Sequence, residues 1–577
     1  MPRMCALILG AGLWMTTLGF AKTGELPIIS PENDGSFFLS ATQAQQVKGN
    51  ECTPPRLGSV MDSDGLGSTS FIEPIPPSQG QLVWKMNVKT AGRYLATLEF
   101  SHGRHGNSFE LEVGKNVLTG YVPDTRSSMA LMEIGEIELP AGQFNVVLRN
   151  TTAFEKRYMG VGSIFIRPLS SKSMTLPEIR HTISRLKPKN IPLRLQMPEI
   201  FSDNLVLQRD LEVPIWGGAV AGSEVSVSLC GQLKKTTVEA NGRWKVKLDP
   251  MVAGGPFTLE VSNGENRLTY SNVLVGEVWF GSGQSNMEVS VLFPQGKETP
   301  AQKYECDEDT KRFLESGIDP QIRISSVTRD HHKSPIWRPL SRENVLESPA
   351  LMSCLAIHLN KSLKVPVGII VRCESSSSSG IWLSRDVVET DWAIQHQIHE
   401  YANQQYPAQC AAYTEAMNQW IKSSEQAKVS GVTLPKKPSV PAQPGDFPFP
   451  AFSERRFNHY GANYPTRVAP VIPYSVRGVV WDQGEGGTGI MGVDQCGVMP
   501  ALVKSWRLAW NRNDLPFFYI RKNQHPSQLW DTMKTIPVVV EVDNRGLGQI
   551  NHPPDKSAYA QRLFDQIKLV FPELWSR

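Results

Sequence analysis

A serine on a short turn is the first place in this sequence where chemistry could occur. Ser285 lies in the run Gly283-Gln284-Ser285-Asn286-Met287, after an apolar stretch at 273–280 that predicts a buried strand. A sharp turn at the carboxyl end of a buried strand exposes a hydroxyl and gathers backbone N–H groups around it. Ser285 is therefore a candidate nucleophile, although a Gly-Gln-Ser turn also occurs as a plain turn.

A nucleophilic serine needs a base, and His552 is the best placed of the 11 histidines. It lies in the loop 549–556, between a predicted strand at 536–542 and a predicted helix at 557–571. The pair His396 and His399 on a predicted helix has metal-like spacing, but a solvated helix face explains it better. No Cys-x-x-Cys pair occurs, and neither a metal nor an organic cofactor is predicted.

Alternating strands and helices must position these residues. From residue 276 onward, strands are predicted at 365–371, 477–481, 516–520 and 536–542, and helices at 350–363, 499–510 and 557–571. Such alternation indicates a parallel sheet covered on both faces, and ligands bind at the carboxyl ends of its strands. Ser285 and the loop after Trp481 both lie at such ends.

The first 21 of the 577 residues resemble an export signal. Arg3 gives a positive start, 5–18 is mostly apolar, and 19–21 supplies small residues for cleavage. The alternative is a buried N-terminal strand or helix. We expect an exported protein, periplasmic or extracellular, and no later segment is apolar for long enough to span a membrane.

The positive and negative side chains of this sequence are nearly balanced. The chain carries 59 basic and 56 acidic side chains, for a net charge of +3. This balance gives no reason to expect nucleic acid or an anionic membrane surface as a partner.

Three domains are predicted after the signal. Residues 22–185 read as an all-β sandwich that resembles carbohydrate-binding modules, through Trp84, 91–94 and 140–142. A Ser-, Lys- and Pro-rich linker at 170–195 leads to a small all-β sandwich domain at 196–272. The α/β domain then fills 273–577, with a Pro-rich insertion at 432–452. The fold class is thus multidomain: an α/β domain with a parallel sheet, preceded by two all-β sandwich-type domains.

Four sequence blocks carry a more specific resemblance. They are 200–209 with 214–217, 276–287, 477–485 and 550–556. In residue types, order and spacing they resemble the sialate O-acetylesterase family, a branch of the SGNH-type serine esterases. The resemblance covers about two thirds of the chain, from about 196 to 560, and leaves the residues before 185 outside it.

The resemblance implies Ser285 as nucleophile and His552 as general base and then general acid. It implies one oxyanion donor from the backbone N–H of Ser285. Glu485 would be buried beside the pocket, where it would either orient His552 or brace its loop. The other pocket residues implied are Gln284, Asn286, Ser376, Gln483 and Gly484.

Three departures from the family pattern concern the same pocket. Many relatives have a Gly-Gly-Thr turn where this chain has 375–377, and serine lacks the conformational freedom of glycine. Many relatives follow the glutamate with Ser-Asn, where 486–488 here is Gly-Gly-Thr, so an amide donor is missing. Loss of one oxyanion donor typically lowers the rate by about 10²–10³-fold. The aspartate that often precedes the histidine is replaced by 549–550, so Asp543 is the candidate third acid, and a Ser–His dyad is the alternative.

These residues predict an exported carbohydrate O-acetylesterase that hydrolyses acetyl esters on a glycan substrate without a cofactor. The alternative is a non-catalytic glycan-binding protein on a degenerate esterase scaffold, which the altered oxyanion residues favour.

Overall fold

Strands dominate the first part of the chain and alternate with helices in the last part. The computed structural model describes residues 26, 28–40, 43–48, 51–53, 57–61, 68–75, 81–102, 107–122, 129–151, 159–171, 173–174, 178–179, 182–183, 194–290, 318–328, 335–341, 344, 348–442, 444–445, 460–483, 487–522, 527–547 and 556–576. The chain divides into a first unit, Met1–Gly58 with Ser70–Pro188, and a second unit, Ser59–Thr69 with Lys189–Arg577.

The strands before residue 188 form two sheets. They are β1 Ile28–Ile29, β2 Phe37–Ser40, β3 Gln45–Lys48, β4 Glu51–Thr53, β5 Leu57–Met61, β6 Ser68–Ile75, β7 Gln81–Val88, β8 Gly92–His102, β9 Asn107–Val113, β10 Asn116–Val122, β11 Met129–Leu139, β12 Gly142–Asn150 and β13 Met159–Pro168. One sheet has the order β10-β9-β12-β7-β3-β4 with β1 beside β7, and the other has the order β11-β8-β13-β6-β5 with β2 beside β13.

One hydrophobic core joins the two sheets. Trp84 and Phe109 from the first sheet and Phe37 and Phe100 from the second belong to the same buried cluster. In Gln81–Val88 every second residue from Leu82 to Val88 is buried, because this face of the sheet packs on the core. The all-β character predicted for this part of the chain is confirmed.

The strands between 206 and 283 are β14 Val206–Gln208, β15 Val213–Gly218, β16 Glu224–Leu229, β17 Gln232–Thr237, β18 Arg243–Leu248, β19 Gly254–Ser262 and β20 Arg267–Gly283. They pair in the order β17-β16-β19-β20, with β15 and β18 as a separate pair. The 17-residue strand β20 does not stop at 272, where the sequence predicts a domain boundary. Its first part pairs with β19 and its last part pairs with strands of the following sheet.

That following sheet is almost entirely parallel. Its further strands are β21 Ile318–Val327, β22 Arg338–Ser341, β23 Val367–Cys373, β24 Gly478–Asp482, β25 Phe517–Arg521 and β26 Val539–Asp543. They extend from β20 as β20-β23-β21-β22 on one side and as β20-β24-β25-β26 on the other. β22 is antiparallel to β21, and the other pairings are parallel.

The α-helices of the second unit are α1 Ser285–Glu288, α2 Ala350–Leu363, α3 Arg385–Thr390, α4 Trp392–Ser430, α5 Gln495–Trp510, α6 Ser527–Met533 and α7 Lys556–Val570. Helices cover both faces of the parallel sheet, and alternate side chains of β20 pack against them on opposite sides. Trp279 packs in a cluster with residues of α2 and α7. Phe280 packs in another cluster that includes Trp506 of α5.

The predicted combination of a parallel α/β region and a preceding all-β region is confirmed. Among the helices that the structure describes, none combines the length and the apolar character that crossing a membrane would take.

Candidate active site

The turn at the end of β20 depends on Gly283. Its backbone φ is +133°, and an added Cβ would lie 2.1 Å from the carbonyl oxygen of Asp482. Only glycine fits so close an approach of two backbones. The N–H of Gln284 then donates to that carbonyl oxygen at 3.1 Å, and Ser285 follows as the first residue of α1. The glycine therefore allows the chain to turn sharply beside β24.

Ser285 is the most accessible residue of this turn. It keeps 9% of its surface exposed, whereas its neighbours Gln284 and Asn286 keep 1% and 0%. Its carbonyl oxygen accepts the N–H of Val289 at 2.8 Å, which closes the single turn of α1. A rigid backbone with one reachable hydroxyl is what a nucleophile position requires.

The site lies where the sheet order changes direction. β23 and β24 flank β20 on opposite sides, and they are consecutive strands in the chain. The connection from β23 to β24 therefore crosses from one side of β20 to the other. In parallel α/β sheets such a switch point opens a crevice at the carboxyl ends of the strands. Ser285 follows the carboxyl end of the strand at this switch.

The serine-rich loop after β23 is fixed against the turn at 283–288, which carries the candidate nucleophile and is called the nucleophile turn below. The N–H of Glu374 donates to the carbonyl oxygen of Gly283 at 3.1 Å. The N–H of Ser375 donates to Oε2 of Glu288 at 2.5 Å, and the Ser375 hydroxyl bonds to the same oxygen. Ser376 follows with a φ of +62°, in the left-handed region that glycine favours. Serine thus adopts here a conformation for which glycine is the usual residue.

Gln483 connects the loops after all three central strands. Its Nε2 donates to Oε1 of Gln284 at 3.3 Å and to the carbonyl oxygen of Ser377 at 3.1 Å. The structure therefore brings together five of the predicted site residues around one turn: Gln284, Ser285, Asn286, Ser376 and Gln483.

The remaining predicted residues fall in two groups. His552, Gly484 and Glu485 lie outside the described residues. Asp543 ends β26, three strands away from β20 in the sheet order. Its carboxylate accepts two hydrogen bonds from the Arg545 side chain, at 2.8 and 2.6 Å. These bonds lower the pKa of Asp543 to about 2.

Three buried charges beside the nucleophile turn were not among the predicted site residues. Asp482 and Lys522, at the ends of β24 and β25, form an ion pair and are 0% and 3% exposed. Lys556, the first residue of α7, donates from Nζ to Oδ1 of Asn286 at 2.5 Å. The available signal was a charged residue directly after an apolar strand, as in Trp481-Asp482, which usually indicates only the strand's exposed end.

Burial changes the proton affinity of Lys556. Its pKa is lowered to about 7, because burial disfavours the charged ammonium. The carboxylate of Asp482 opposes this shift, and the nearby ammonium of Lys522 adds to it. Lys556 therefore titrates near neutral pH, a range that lysine side chains reach only in such surroundings.

A second buried group of charges fixes the strand ends on the other side of β20. The Arg372 guanidinium donates to the carbonyl oxygen of Ser325 at 2.8 Å and to its hydroxyl at 3.0 Å. Burial, with the charge of Arg467 beside it, lowers the pKa of Arg372 to about 9. Arg467 forms an ion pair with Glu374 at 3.2 Å and donates to the carbonyl oxygen of Cys373 at 2.9 Å. These contacts fix the start of the serine-rich loop, directly after β23.

Within the described ranges, no three His, Cys, Asp or Glu side chains are grouped so that they could bind a metal ion.

Comparison with known proteins gives a consistent set of relatives. A sialate O-acetylesterase from Rattus norvegicus is 28% identical over 324 residues, which are 53% of this chain and 55% of that protein. The sialate O-acetylesterase of Homo sapiens is 27% identical over 323 residues, 54% of this chain and 52% of that protein. The chain thus spans about half the length of the curated relatives it matches. No family model matches it.

Among solved structures, a carbohydrate acetylesterase from Xanthomonas citri is similar with a TM-score of 0.44 and 22% identity, over 65% of this chain and 75% of that one.

Proposed function

We propose that this chain, which belongs to the sialate O-acetylesterase family, is an exported carbohydrate O-acetylesterase that uses Ser285 as its nucleophile. The observation that carries the proposal is the position of Ser285 on the glycine-dependent turn after the central strand, at the switch point of the sheet. The names of the curated relatives support the ester class, and the first 21 residues of the sequence support export.

The proposed reaction has two steps. In the first, Oγ of Ser285 attacks the carbonyl carbon of an acetyl ester, and His552 accepts the hydroxyl proton. The tetrahedral intermediate collapses, the sugar oxygen leaves with the proton returned by His552, and an acetyl-enzyme remains. In the second step, His552 takes a proton from water, the resulting hydroxide attacks the acetyl-enzyme, and acetate leaves as Ser285 recovers its proton.

The described loops offer donors for the oxyanion. The N–H groups of Ser375 and Ser377 are used within the fold, since they bond to Glu288 and to the carbonyl oxygen of Glu374. The backbone N–H of Ser376, together with that of Ser285, is therefore our assignment for the oxyanion donors. The left-handed backbone of Ser376 supplies the loop shape that glycine would otherwise give.

The proposed minimal machinery is the pair Ser285 and His552. Asp543 is bonded by both carboxylate oxygens to Arg545, so an additional role behind His552 would require that ion pair to rearrange. We therefore favour a Ser–His dyad over a triad through Asp543.

The test is acetate release from a panel of acetylated sugars, combined with labelling by a fluorophosphonate. We expect the wild-type protein to release acetate and to take up the label on Ser285. Ser285→Ala should abolish both signals, and His552→Asn should lower the turnover rate by at least about 10³-fold. Asp543→Asn should retain most activity if the dyad is sufficient.

The outcomes separate the two functional classes. A folded wild-type protein that releases no acetate and takes no label on Ser285 would exclude the esterase. If that protein still bound glycans, the glycan-binding alternative would replace it. A release of other acyl groups in preference to acetate would keep the hydrolase and change its substrate.

A further inference from the structure

A lysine is buried against the residue that follows the candidate nucleophile. Lys556 is 2% exposed, and its Nζ lies 2.5 Å from Oδ1 of Asn286. Its ammonium also lies 5.0 Å from the ring centroid of Tyr559, one turn along α7. Asn286 itself is 0% exposed in the middle of the turn. The contact therefore joins α1 to the first turn of α7.

Both ends of this contact lie close in sequence to the proposed catalytic residues. α7 begins at Lys556, four residues after His552. α1 begins at Ser285, one residue before Asn286. The hydrogen bond between Lys556 and Asn286 thus connects the helix that begins with the proposed nucleophile to a helix that begins four residues after the proposed base.

Lys556 lies near a buried ion pair. Asp482 and Lys522 neutralise each other in this pair. Among the described residues, a protonated Lys556 adds one positive charge to the pair, and the three side chains are 0–3% exposed, so its charge is costly to bury.

We propose that Lys556 is a positioning residue, which fixes the nucleophile turn through its hydrogen bond to Asn286 and couples that turn to the start of α7. The catalytic consequence rests on the function proposed above, whereas the structural coupling does not.

The coupling has a consequence for the nucleophile geometry. Without the ammonium, α1 loses one contact, while its backbone bonds, its contacts to the loops after β23 and β24 and the packing of Met287 remain. A displacement of about 1 Å in a reacting group can lower turnover by about 10²-fold. Substrate binding depends on other parts of the pocket, so turnover should fall much more than affinity.

The matched variants are Lys556→Met, Asn286→Ala and the double variant, with Lys568→Met as control. Methionine preserves the apolar stem of the lysine, and Lys568 is an exposed lysine of the same helix that contacts Phe564 and Trp575. Turnover of p-nitrophenyl acetate gives kcat and KM, and hydrogen exchange of the peptide covering 283–290 reports the mobility of the turn. Thermal unfolding reports stability.

We expect Lys556→Met to lower kcat by about 10–10²-fold while KM changes less than about threefold. The kcat of the double variant should be no lower than that of the more impaired single variant, because both changes remove the same contact. Exchange at 283–290 should accelerate at least about fivefold in Lys556→Met and stay unchanged in Lys568→Met. The melting temperature of Lys556→Met should equal or exceed that of the wild type, since the cost of burying the lysine charge is gone.

Unchanged exchange and unchanged kcat in Lys556→Met would overturn the positioning role, as would losses that multiply in the double variant. If Lys556→Met does not fold, Asn286→Ala provides the same comparison. A wild-type protein without esterase activity would refute the proposed function alone, because the exchange measurement tests the coupling independently of catalysis.

Discussion

Ser376 shows at the residue scale how a departure from a family pattern can leave the geometry in place. The sequence predicts that serine at this turn loses the conformational freedom of glycine. In the structure Ser376 nevertheless adopts a φ of +62°. The left-handed conformation costs an L-residue about 1–2 kcal/mol, and the bonds of Ser375 to Glu288 and of Glu374 to Gly283 fix the loop in it.

We expect Ser376→Gly to leave the free energy of unfolding unchanged or to raise it by up to about 1 kcal/mol. Relief of strain exceeds the extra entropy that glycine gains in the unfolded chain, which is about 0.5–1 kcal/mol. Ser376→Val should instead destabilise by more than about 1 kcal/mol, since a β-branched residue is least tolerated there. Denaturant unfolding measures both. A glycine variant less stable than the wild type would show that the serine side chain makes a stabilising contact.

The sequence predicts Ser285 as a candidate nucleophile but not the buried charges beside it, and the reason is physical. A tight turn after an apolar strand is a local pattern, so Ser285 could be recognised without the fold. The burial of Asp482, Lys522 and Lys556 is a tertiary property, because each charge follows or precedes a regular element whose ends normally meet water. Their proximity is visible only in the folded structure, where the three element ends lie together.

At the scale of elements, β20 is fixed in the second unit by a buried carboxylate. Glu277 is 0% exposed and accepts hydrogen bonds from Arg209 Nε at 2.6 Å and from Arg477 Nη2 at 2.9 Å. Burial alone would raise the pKa of Glu277, but the hydrogen bonds and charges of Arg477 and Arg209 lower it. The carboxylate therefore joins the loop after β14, strand β20 and the start of β24.

We expect Glu277→Gln to lower the free energy of unfolding by about 3–5 kcal/mol, because it leaves two buried guanidinium groups without their carboxylate. Glu224→Gln is the control: it removes one partner of an exposed pair with Lys235 on the edge of the same sheet and should cost at most about 1 kcal/mol. Since the folded pKa of Glu277 is lowered, its contribution is fully present above about pH 4.5 and is lost as the pH falls through the folded value. Calorimetry at pH 7 and pH 4 measures both effects. Equal losses in the two variants would contradict a structural role for the buried carboxylate.

Periodicity predicted several helices and strands of the α/β region closely, but it missed β21 and β22 and most of the long helix α4. The helix predicted at 350–363 coincides with Ala350–Leu363, and the strand predicted at 477–481 is Gly478–Asp482. α4 runs for 39 residues but buries only Ile394, Tyr401, Ser424 and Ala427, so it has little apolar periodicity to detect. The proline-rich residues that follow it are near α4, where Trp420 Nε1 donates to the carbonyl oxygen of Pro435 at 2.8 Å. Such a contact depends on the path of the returning chain, which local sequence does not determine.

At the scale of the whole molecule, the small β region and the parallel sheet share one strand and one core. β20 crosses the boundary predicted between 272 and 273, and it pairs with β14 and β19 before it enters the parallel sheet. Leu207 and Trp216 belong to the same buried cluster as Tyr474 and Trp506. Composition changes at this boundary, which is why the sequence suggests separate domains. The backbone pairing and the shared core make the two regions structurally dependent.

This dependence predicts the behaviour of two fragments. The fragment 273–577 removes the strand partners of residues 273–276, the Arg209 partner of Glu277, and the main-chain oxygens that accept from Trp337 Nε1 and the Tyr474 hydroxyl at 2.9 and 2.7 Å. It also exposes the apolar side chains that pack on the small β region, so we expect it to aggregate or to lack a cooperative unfolding transition. The fragment 189–577 retains all of these contacts and should unfold cooperatively. Calorimetry and size-exclusion chromatography of the two fragments, prepared in parallel, decide the matter. A soluble 273–577 fragment with a sharp transition near that of 189–577 would show that the parallel sheet folds independently despite the shared strand.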